Sequence, residues 1–508
     1  VNSRLYDRLS VALFIILTGL VLLTFLHYGL SWDEPWQQSY GEAVVRFYTT
    51  GFEDRWSIVM GPDLFYYGGF FEALTALAVP VSPFSMEDTR HLISALSGVL
   101  GIVGCWKLAR FIGGSGGGFW AALLLASYPP YYGHMFINSK DIPFAAFSMW
   151  ALYYMTRLLT LPQFSWQTTL KFGIWMGLAL GVRVGGFLLL CYFFLFGTLS
   201  LGYVAWREKE NLATRTRTLV LSGSIAAILA FALMLLSWPY AMIKPFKNPL
   251  NALAFFSRPS DPPSPLDYIP RHLLLKLPEI VLLLLLAGLC IGVYRLVRND
   301  AVSFWKIQPY FLLIFSVIFP IAYASIRRPR VYDEVRHFLF VIPPLFCLFG
   351  LIANSLMESK TSGRSRLVIV SLLMLGLFLP LSMMIRLHPY EYAYYNQFIG
   401  GVRGASEKQY GTEYWATSYK EGVGKLEDYL RKRDGEAFSS RQYKIMLGDA
   451  GWCGIAYFPT NFVLTMELPE ADAYLSTTRY NAPALITGMT IVEVERFGVP
   501  FMIGKIPD

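Results

Sequence analysis

The run Val11-Ala-Leu-Phe-Ile-Ile-Leu-Thr-Gly-Leu-Val-Leu-Leu-Thr-Phe-Leu-His-Tyr-Gly-Leu30 passes directly into Ser31-Trp32-Asp33-Glu34-Pro35. The run is long enough to cross a hydrocarbon core of about 30 Å. Arg4 and Arg8 precede it, as in a signal peptide. No small-x-small cleavage pattern stands before Trp32, so an uncleaved signal anchor is expected. Asp33 and Glu34 then lie at the mouth of a span, where a half-buried carboxylate costs several kcal/mol and ordinarily carries a role. The pair can serve as a general base, a divalent-cation ligand or an ion site. The plain alternative is an acidic boundary residue in contact with water.

The rest of the chain repeats the first run. Of 508 residues, 55% are hydrophobic and 15% charged, a membrane-class composition, since soluble domains carry about 25% charged residues. Candidate spans cover about 11–30, 91–110, 117–133, 142–159, 170–182, 185–205, 218–238, 278–297, 308–325, 337–356 and 367–386. With the N-terminus in the cytoplasm, the inner loops collect Lys107, Arg110, Arg157, Lys171, Arg207, Lys209, Arg215, Arg217, Arg295, Arg298, Lys306, Lys360, Arg364 and Arg366. Short basic loops stay cytoplasmic, which sets the orientation. The expected fold is therefore an all-α polytopic membrane protein of about eleven transmembrane helices, residing in the inner (plasma) membrane.

Three long segments fall on the outer face, and nearly every oddly placed polar residue with them. Residues 31–90 carry amphipathic patterns at Glu42-Ala-Val-Val-Arg-Phe-Tyr and Phe70-Phe-Glu-Ala-Leu-Thr-Ala-Leu, which predict two short surface helices. Residues 239–277 contain Pro239, Pro245, Pro249, Pro259, Pro262, Pro263, Pro265 and Pro270 and cannot form one continuous helix. Residues 388–508 show a helical stretch from Glu413 to Arg433 and strand-like runs at 443–447, 462–465, 473–475, 491–495 and 501–503. A small α/β extracytoplasmic domain follows from them, beside a membrane domain of residues 1–387. The inner turn Gly113-Gly114-Ser115-Gly116-Gly117-Gly118 lacks the Gly-Lys-Ser/Thr of a phosphate loop. Cys105, Cys191, Cys290, Cys347 and Cys453 have no metal-ligand spacing and read as small apolar packers.

Chemistry is thus expected outside, away from cytosolic nucleotides. Asn138-Ser139-Lys140-Asp141-Ile142-Pro143 lies at the same membrane depth as Asp33. Asp141 is either a helix cap or, with Lys140, part of one pocket with Asp33. Arg183, in the hairpin Gly181–Gly186, either snorkels to head groups or faces that pocket. The loop Arg327-Arg328-Pro329-Arg330-Val331-Tyr332-Asp333-Glu334-Val335-Arg336-His337 runs against the positive-inside trend. Guanidinium forks pair phosphate oxygens, so Arg327, Arg330, Arg336 and His337 are candidate phosphate ligands; attraction to anionic lipid heads is the general alternative. In His388-Pro389-Tyr390-Glu391-Tyr392-Ala393-Tyr394-Tyr395-Asn396, the tyrosines are interface anchors or a sugar-stacking surface. Asn138, His388, Tyr390, Tyr395 and Asn396 are the candidate acceptor or sugar contacts.

Together, Trp32-Asp33-Glu34, the Asn-Ser-Lys-Asp-Ile-Pro-Phe-Ala turn, Arg336-His337-Phe338-Leu339-Phe340 with Pro343-Pro344, and His388-Pro389-Tyr390 resemble the C-type glycosyltransferases. The closest groups are the protein O-mannosyltransferases and the lipid A aminoarabinose transferases. The resemblance covers the membrane part. It implies a polyprenyl-phosphate sugar donor, a lipid, glycan or protein acceptor, and inversion at the anomeric carbon. It also implies Asp33 as base, Asp141 at the second acidic position, and arginines on the leaving phosphate. Two other classes remain open at this point. A transporter or lipid flippase would show midplane charges and repeated halves, and a lipid-linked oligosaccharide polymerase or ligase would use a diphosphate donor. No particular cofactor is indicated, a divalent cation is compatible, and no nucleic-acid partner is expected.

Overall fold

The structure, a computed structural model, describes residues 3–61, 63–208, 211–298, 303–358 and 363–508. Lys209 and Lys360 lie outside the described residues. The expected spans fall largely within helices. Among the described residues, seven helices are long and apolar enough to cross a membrane, or up to eight if a bent pair is one span. The protein is a multi-pass membrane protein. The expectation of eleven differs because it divides Met86–Ala126 in two and adds Asp141–Thr160 and the 15-residue Trp166–Leu180.

Glycine and proline set the breaks. The run Met86–Ala126 loses helical geometry at Gly113 and Gly114, and Gly114 takes φ 71°, which a side chain would oppose. The span expected to reach residue 133 ends instead at Ala126. Pro129-Pro130 opens a new helix, Pro129–Ile137, because proline suits a first turn and cannot donate in a continuing one. At Pro278 the helices Tyr268–Lys276 and Glu279–Arg295 turn by 114°. Ile342–Glu358 lies so close to the second half of Met86–Ala126 that a Cβ on Gly350 would meet the Ala121 nitrogen at 2.3 Å.

One face of the bundle carries long segments and the site. Residues 31–90 hold the helices Glu34–Thr49 and Phe70–Ala78, packed on each other. Backbone bonds from Gly68 to Val182 (3.1 Å) and Phe70 to Gly181 (3.0 Å) tie this segment to the turn that presents Arg183, and one from Gly69 to Ser237 (3.0 Å) ties it to the end of helix Leu212–Ser237. The proline-rich stretch forms three short helices, Pro239–Ile243, Lys247–Phe256 and Tyr268–Lys276. Beyond Leu387, helix Tyr419–Asp434 packs on a five-stranded sheet. Its strands are β1 (Tyr443–Leu447), β2 (Phe462–Leu464), β3 (Ala473–Thr477), β4 (Gly488–Arg496) and β5 (Val499–Pro507), in the order β2-β1-β3-β5-β4. The β4–β5 hairpin turns at Phe497 and Gly498, both at positive φ, as a tight primed turn requires.

Candidate active site

Asp33 stands at the N-terminus of helix Glu34–Thr49, whose first turn Pro35 fixes. Ser31 bonds from its hydroxyl to the Ile137 carbonyl at 3.0 Å, joining this helix start to the turn at Asn138. In that turn the Asn138 side chain accepts from the Asp141 amide at 3.0 Å and donates to the Asp141 carboxylate at 2.9 Å. Asn138, not Asp141, therefore does the capping, and Asp141 is the first residue of helix Asp141–Thr160. Its carboxylate is released to pair with Arg183 at 2.5 Å. Lys140, between them, reaches the Asp33 carboxylate at 3.2 Å. Arg336 approaches the same oxygen at 3.8 Å and pairs with Asp333 at 3.2 Å. Asp33, Lys140, Asp141, Arg183 and Arg336, from distant stretches of sequence, thus form one group.

Electrostatics fix the protonation of Asp33. Burial alone would raise its carboxyl, but Lys140, then Arg336 and Arg183, outweigh burial and hold it below the ordinary aspartate value. Lys140 shows the reciprocal effect: burial pulls its ammonium down, and Asp33 with Tyr67 more than reverses this. Asp33 is an anion and Lys140 a cation across the neutral range.

Beside the group opens a cavity of 1120 Å³. Phe144, Leu188, Phe319 and Phe338 are among its apolar walls, and Arg183, Arg258, Arg330 and His337 among its polar ones. Asp33, Lys140 and Arg336 do not line it; Lys140 and Arg336 border it through two tyrosines that do. The Tyr67 ring lies 4.7 Å from Lys140 and 5.3 Å from Arg183, and the Tyr332 ring 4.6 Å from Arg336. The Nε atoms of Arg183 and Arg336 and Nδ1 of His337 are buried without a hydrogen-bond partner. An apolar chamber with unfilled donors at its margin suits an anionic head group on a hydrocarbon chain. Among the described residues no three His, Cys, Asp or Glu side chains are grouped to hold a metal ion.

The remaining predicted residues lie elsewhere. Glu34 is fully buried and turned the other way, bonded to the Ser31 amide at 2.8 Å and His91 at 3.1 Å, with Arg90 at 4.0 Å. Arg327 is exposed at the end of helix Phe304–Arg327, outside the cavity lining. His388 bonds to His27 (2.8 Å) and Glu391 (2.7 Å). Tyr390 donates to Glu421 at 2.9 Å, and Tyr395 to Glu334. Asn396 donates to the Leu274 and Leu277 carbonyls at 2.7 and 2.9 Å, satisfying the helix end at the Pro278 bend. Among the described residues none of these contacts Asp33, Lys140, Arg183 or Arg336.

Several contributors were not foreseen. Arg90, fully buried, binds Glu72 (2.5 Å), Thr75 (2.8 Å), Ser139 (2.8 Å), Gln37 (3.2 Å) and Gln38 (3.2 Å), anchoring the residues beside both Asp33 and Lys140. The signal was Arg90-His91 at the threshold of an apolar run. Lys276, inside Leu-Leu-Leu-Lys-Leu-Pro, forms a buried pair with Glu334. The cavity tyrosines Tyr67 and Tyr332 carry no local signal distinguishing them from interface tyrosines.

The sequence model of the dolichyl-phosphate-mannose-protein mannosyltransferases matches residues 71–238. No curated protein matches by sequence. The structure is similar to ArnT from Cupriavidus metallidurans bound to undecaprenyl phosphate, with TM-score 0.52 and 15% identity over 97% of each chain. It is also similar to the archaeal oligosaccharyltransferase AglB from Archaeoglobus fulgidus in complex with an inhibitory peptide and a dolichol-phosphate. There the TM-score is 0.50, with 11% identity over 92% of this chain and 69% of that one. At these identities the structural likeness is one of fold. The family match and the shared fold bear out the resemblance drawn from the sequence to C-type glycosyltransferases of the mannosyltransferase and aminoarabinose-transferase type.

Proposed function

We propose that the protein is an integral membrane glycosyltransferase that moves a sugar from a polyprenyl-phosphate donor to an acceptor hydroxyl or amine, with inversion, on the extracytoplasmic face. The observation that carries this reading is the anionic Asp33 held by Lys140 and Arg336 at the margin of a large apolar cavity with arginines in its wall. The polyprenyl chain occupies the cavity, and its phosphate meets Arg183 and Arg336, with Lys140, Arg330 and His337 close by. The acceptor oxygen or nitrogen attacks the anomeric carbon, the bond from that carbon to the phosphate oxygen breaks, and the proton passes to Asp33. The phosphate leaves as a dianion. Preorganised cations stabilise that charge by about 3–4 kcal/mol per well-placed donor. Asp141 acts by aiming Arg183.

Residues 1–387 form the transferase unit and 388–508 the extracytoplasmic one, with the N-terminus in the cytoplasm of an inner (plasma) membrane protein. Short basic loops support that orientation. Undecaprenyl phosphate bound to ArnT supports the donor class. Glu34, facing Arg90, serves to orient the helix start rather than to touch substrate.

Mass spectrometry of lipids that copurify with the protein tests this reading. A polyprenyl-phosphate sugar, or the bare polyprenyl phosphate, is expected. A polyprenyl-diphosphate oligosaccharide would instead place the protein among the polymerases and ligases, and a lipid without phosphate would overturn the donor assignment.

A further inference from the structure

The C-terminal sheet sends one side chain to the Asp33 group. Arg479 stands two residues beyond the end of β3 and opens the short segment Arg479–Leu485. One of its terminal nitrogens pairs with an Asp333 oxygen at 2.9 Å, and the other donates to the Tyr414 carbonyl at 3.0 Å. The guanidinium lies 5.1 Å from the Trp32 ring, the residue before Asp33. The second Asp333 oxygen pairs with Arg336, which in turn faces Asp33. Four charges of alternating sign thus run from the C-terminal sheet to Asp33.

This path is built rather than incidental. Arg479, Asp333 and Arg336 keep 16%, 8% and 8% of their side-chain surface, so water screens the pairs little. Asp333, Tyr480 and Asn481 all take positive φ, at 53°, 55° and 56°. Non-glycine residues occupy that region where surrounding structure holds them there, and such positions gather at functional sites. Without Arg479, Asp333 would lose one of its two cationic partners, and its hold on Arg336 would change. The Nε of Arg336, like that of Arg183, is buried without a hydrogen-bond partner, so the placement of Arg336 sets what it can offer a phosphate.

We infer that Arg479 is a positioning residue: it fixes Asp333, which holds Arg336 where the guanidinium can meet both Asp33 and the leaving phosphate. The C-terminal unit thereby completes the active site. This rests on the proposed lipid-phosphate chemistry and assigns a role to a part of the chain outside the family match. Arg479 itself touches no substrate.

The test uses the full-length protein in lipid nanodiscs, with undecaprenyl phosphate as probe. Arg479→Gln keeps a donor for the Tyr414 carbonyl and removes the charge. It is expected to weaken undecaprenyl phosphate binding about tenfold, the scale of coupling within one ion-pair network, with the melting temperature nearly unchanged. Asp333→Asn should weaken binding comparably, and the double variant should bind no more weakly than Asp333→Asn alone. Arg479→Lys, whose ammonium can still reach Asp333, should restore most of the affinity and serves as the second arm if the glutamine variant folds poorly. Unchanged affinity in Arg479→Gln, or a double variant showing the product of the two single losses, would overturn the inference. Absence of binding by the wild-type protein would overturn the donor reading and the inference with it.

Discussion

Asp33 and Glu34 are adjacent in sequence and belong to opposite kinds of site. Glu34 joins a sealed hub in which Arg90 makes hydrogen bonds of 2.5 to 3.2 Å to five side chains. Asp33 keeps some exposure and sees its cations at 3.2 and 3.8 Å, with guanidinium nitrogens beside it left unpartnered. The same residue types thus build a rigid support in one place and a poised site in the other. What separates them is access: Arg90, His91 and Glu34 each keep an unpaired atom but are fully buried, whereas Asp33 keeps 21% of its side-chain surface and Arg183 lines the cavity, so the site's open donors can meet something else. The hub holds Ser139 and Gln37, next to the site, so the rigid region positions the poised one.

The comparison is most directly broken by exchanging the two acids for their amides. Asp33→Asn should cut turnover about 10²- to 10⁴-fold, the range of general-base catalysis, with donor binding kept. Glu34→Gln should lower the melting temperature more than Asp33→Asn does, and turnover less. A comparable loss of turnover in both, in steady-state assays of folded enzyme, would erase the distinction.

Removing each region's arginine comes next. Arg90→Met leaves buried Glu72 without its cation and should destabilise by about 3–5 kcal/mol, read as a fall in melting temperature. Arg336→Ala should instead lower turnover about 10²- to 10³-fold and weaken donor binding together, at nearly native stability. Unchanged kinetics in Arg336→Ala would move the phosphate site elsewhere.

The smallest effect sharpens the contrast by pH. Glu413 is buried beside Tyr392, and burial raises its carboxyl to about 7, against 4.5 ordinarily. Between those values the folded protein holds a proton that the unfolded chain has released, so stability falls as pH rises through about 7. The loss amounts to about 3 kcal/mol at most. Glu413→Gln should abolish that decline in melting temperature between pH 5 and 8. Asp33, held below its ordinary value by cations, should leave turnover without an acid limb in the same interval.

The membrane architecture was legible because hydrocarbon imposes long apolar runs and because glycine and proline mark where those runs stop. Asp33, Lys140, Asp141, Arg183 and Arg336 were legible as charges at the wrong place for a span end. The direction each one faces was not legible. Adjacent positions at a helix start point about 100° apart, so nothing local said that Asp33 rather than Glu34 would meet Lys140. The tyrosines of 390–395 read as interface anchors or a sugar surface; in the structure Tyr390, Tyr392 and Tyr395 each donate to a glutamate, Glu421, Glu413 and Glu334 respectively. Those partners are distant in sequence, as Arg479 is from Asp333, and no periodicity announces a pairing across folded units.

The most direct test of the central claim is a cryo-EM structure of the protein with undecaprenyl phosphate bound. The account predicts the phosphate within about 4 Å of the Arg336 or Arg183 guanidinium, the reach of an ion pair, with the isoprenoid chain along the Phe144–Phe338 cavity. A phosphate seated away from both arginines, with Asp33 facing no part of the lipid, would contradict it.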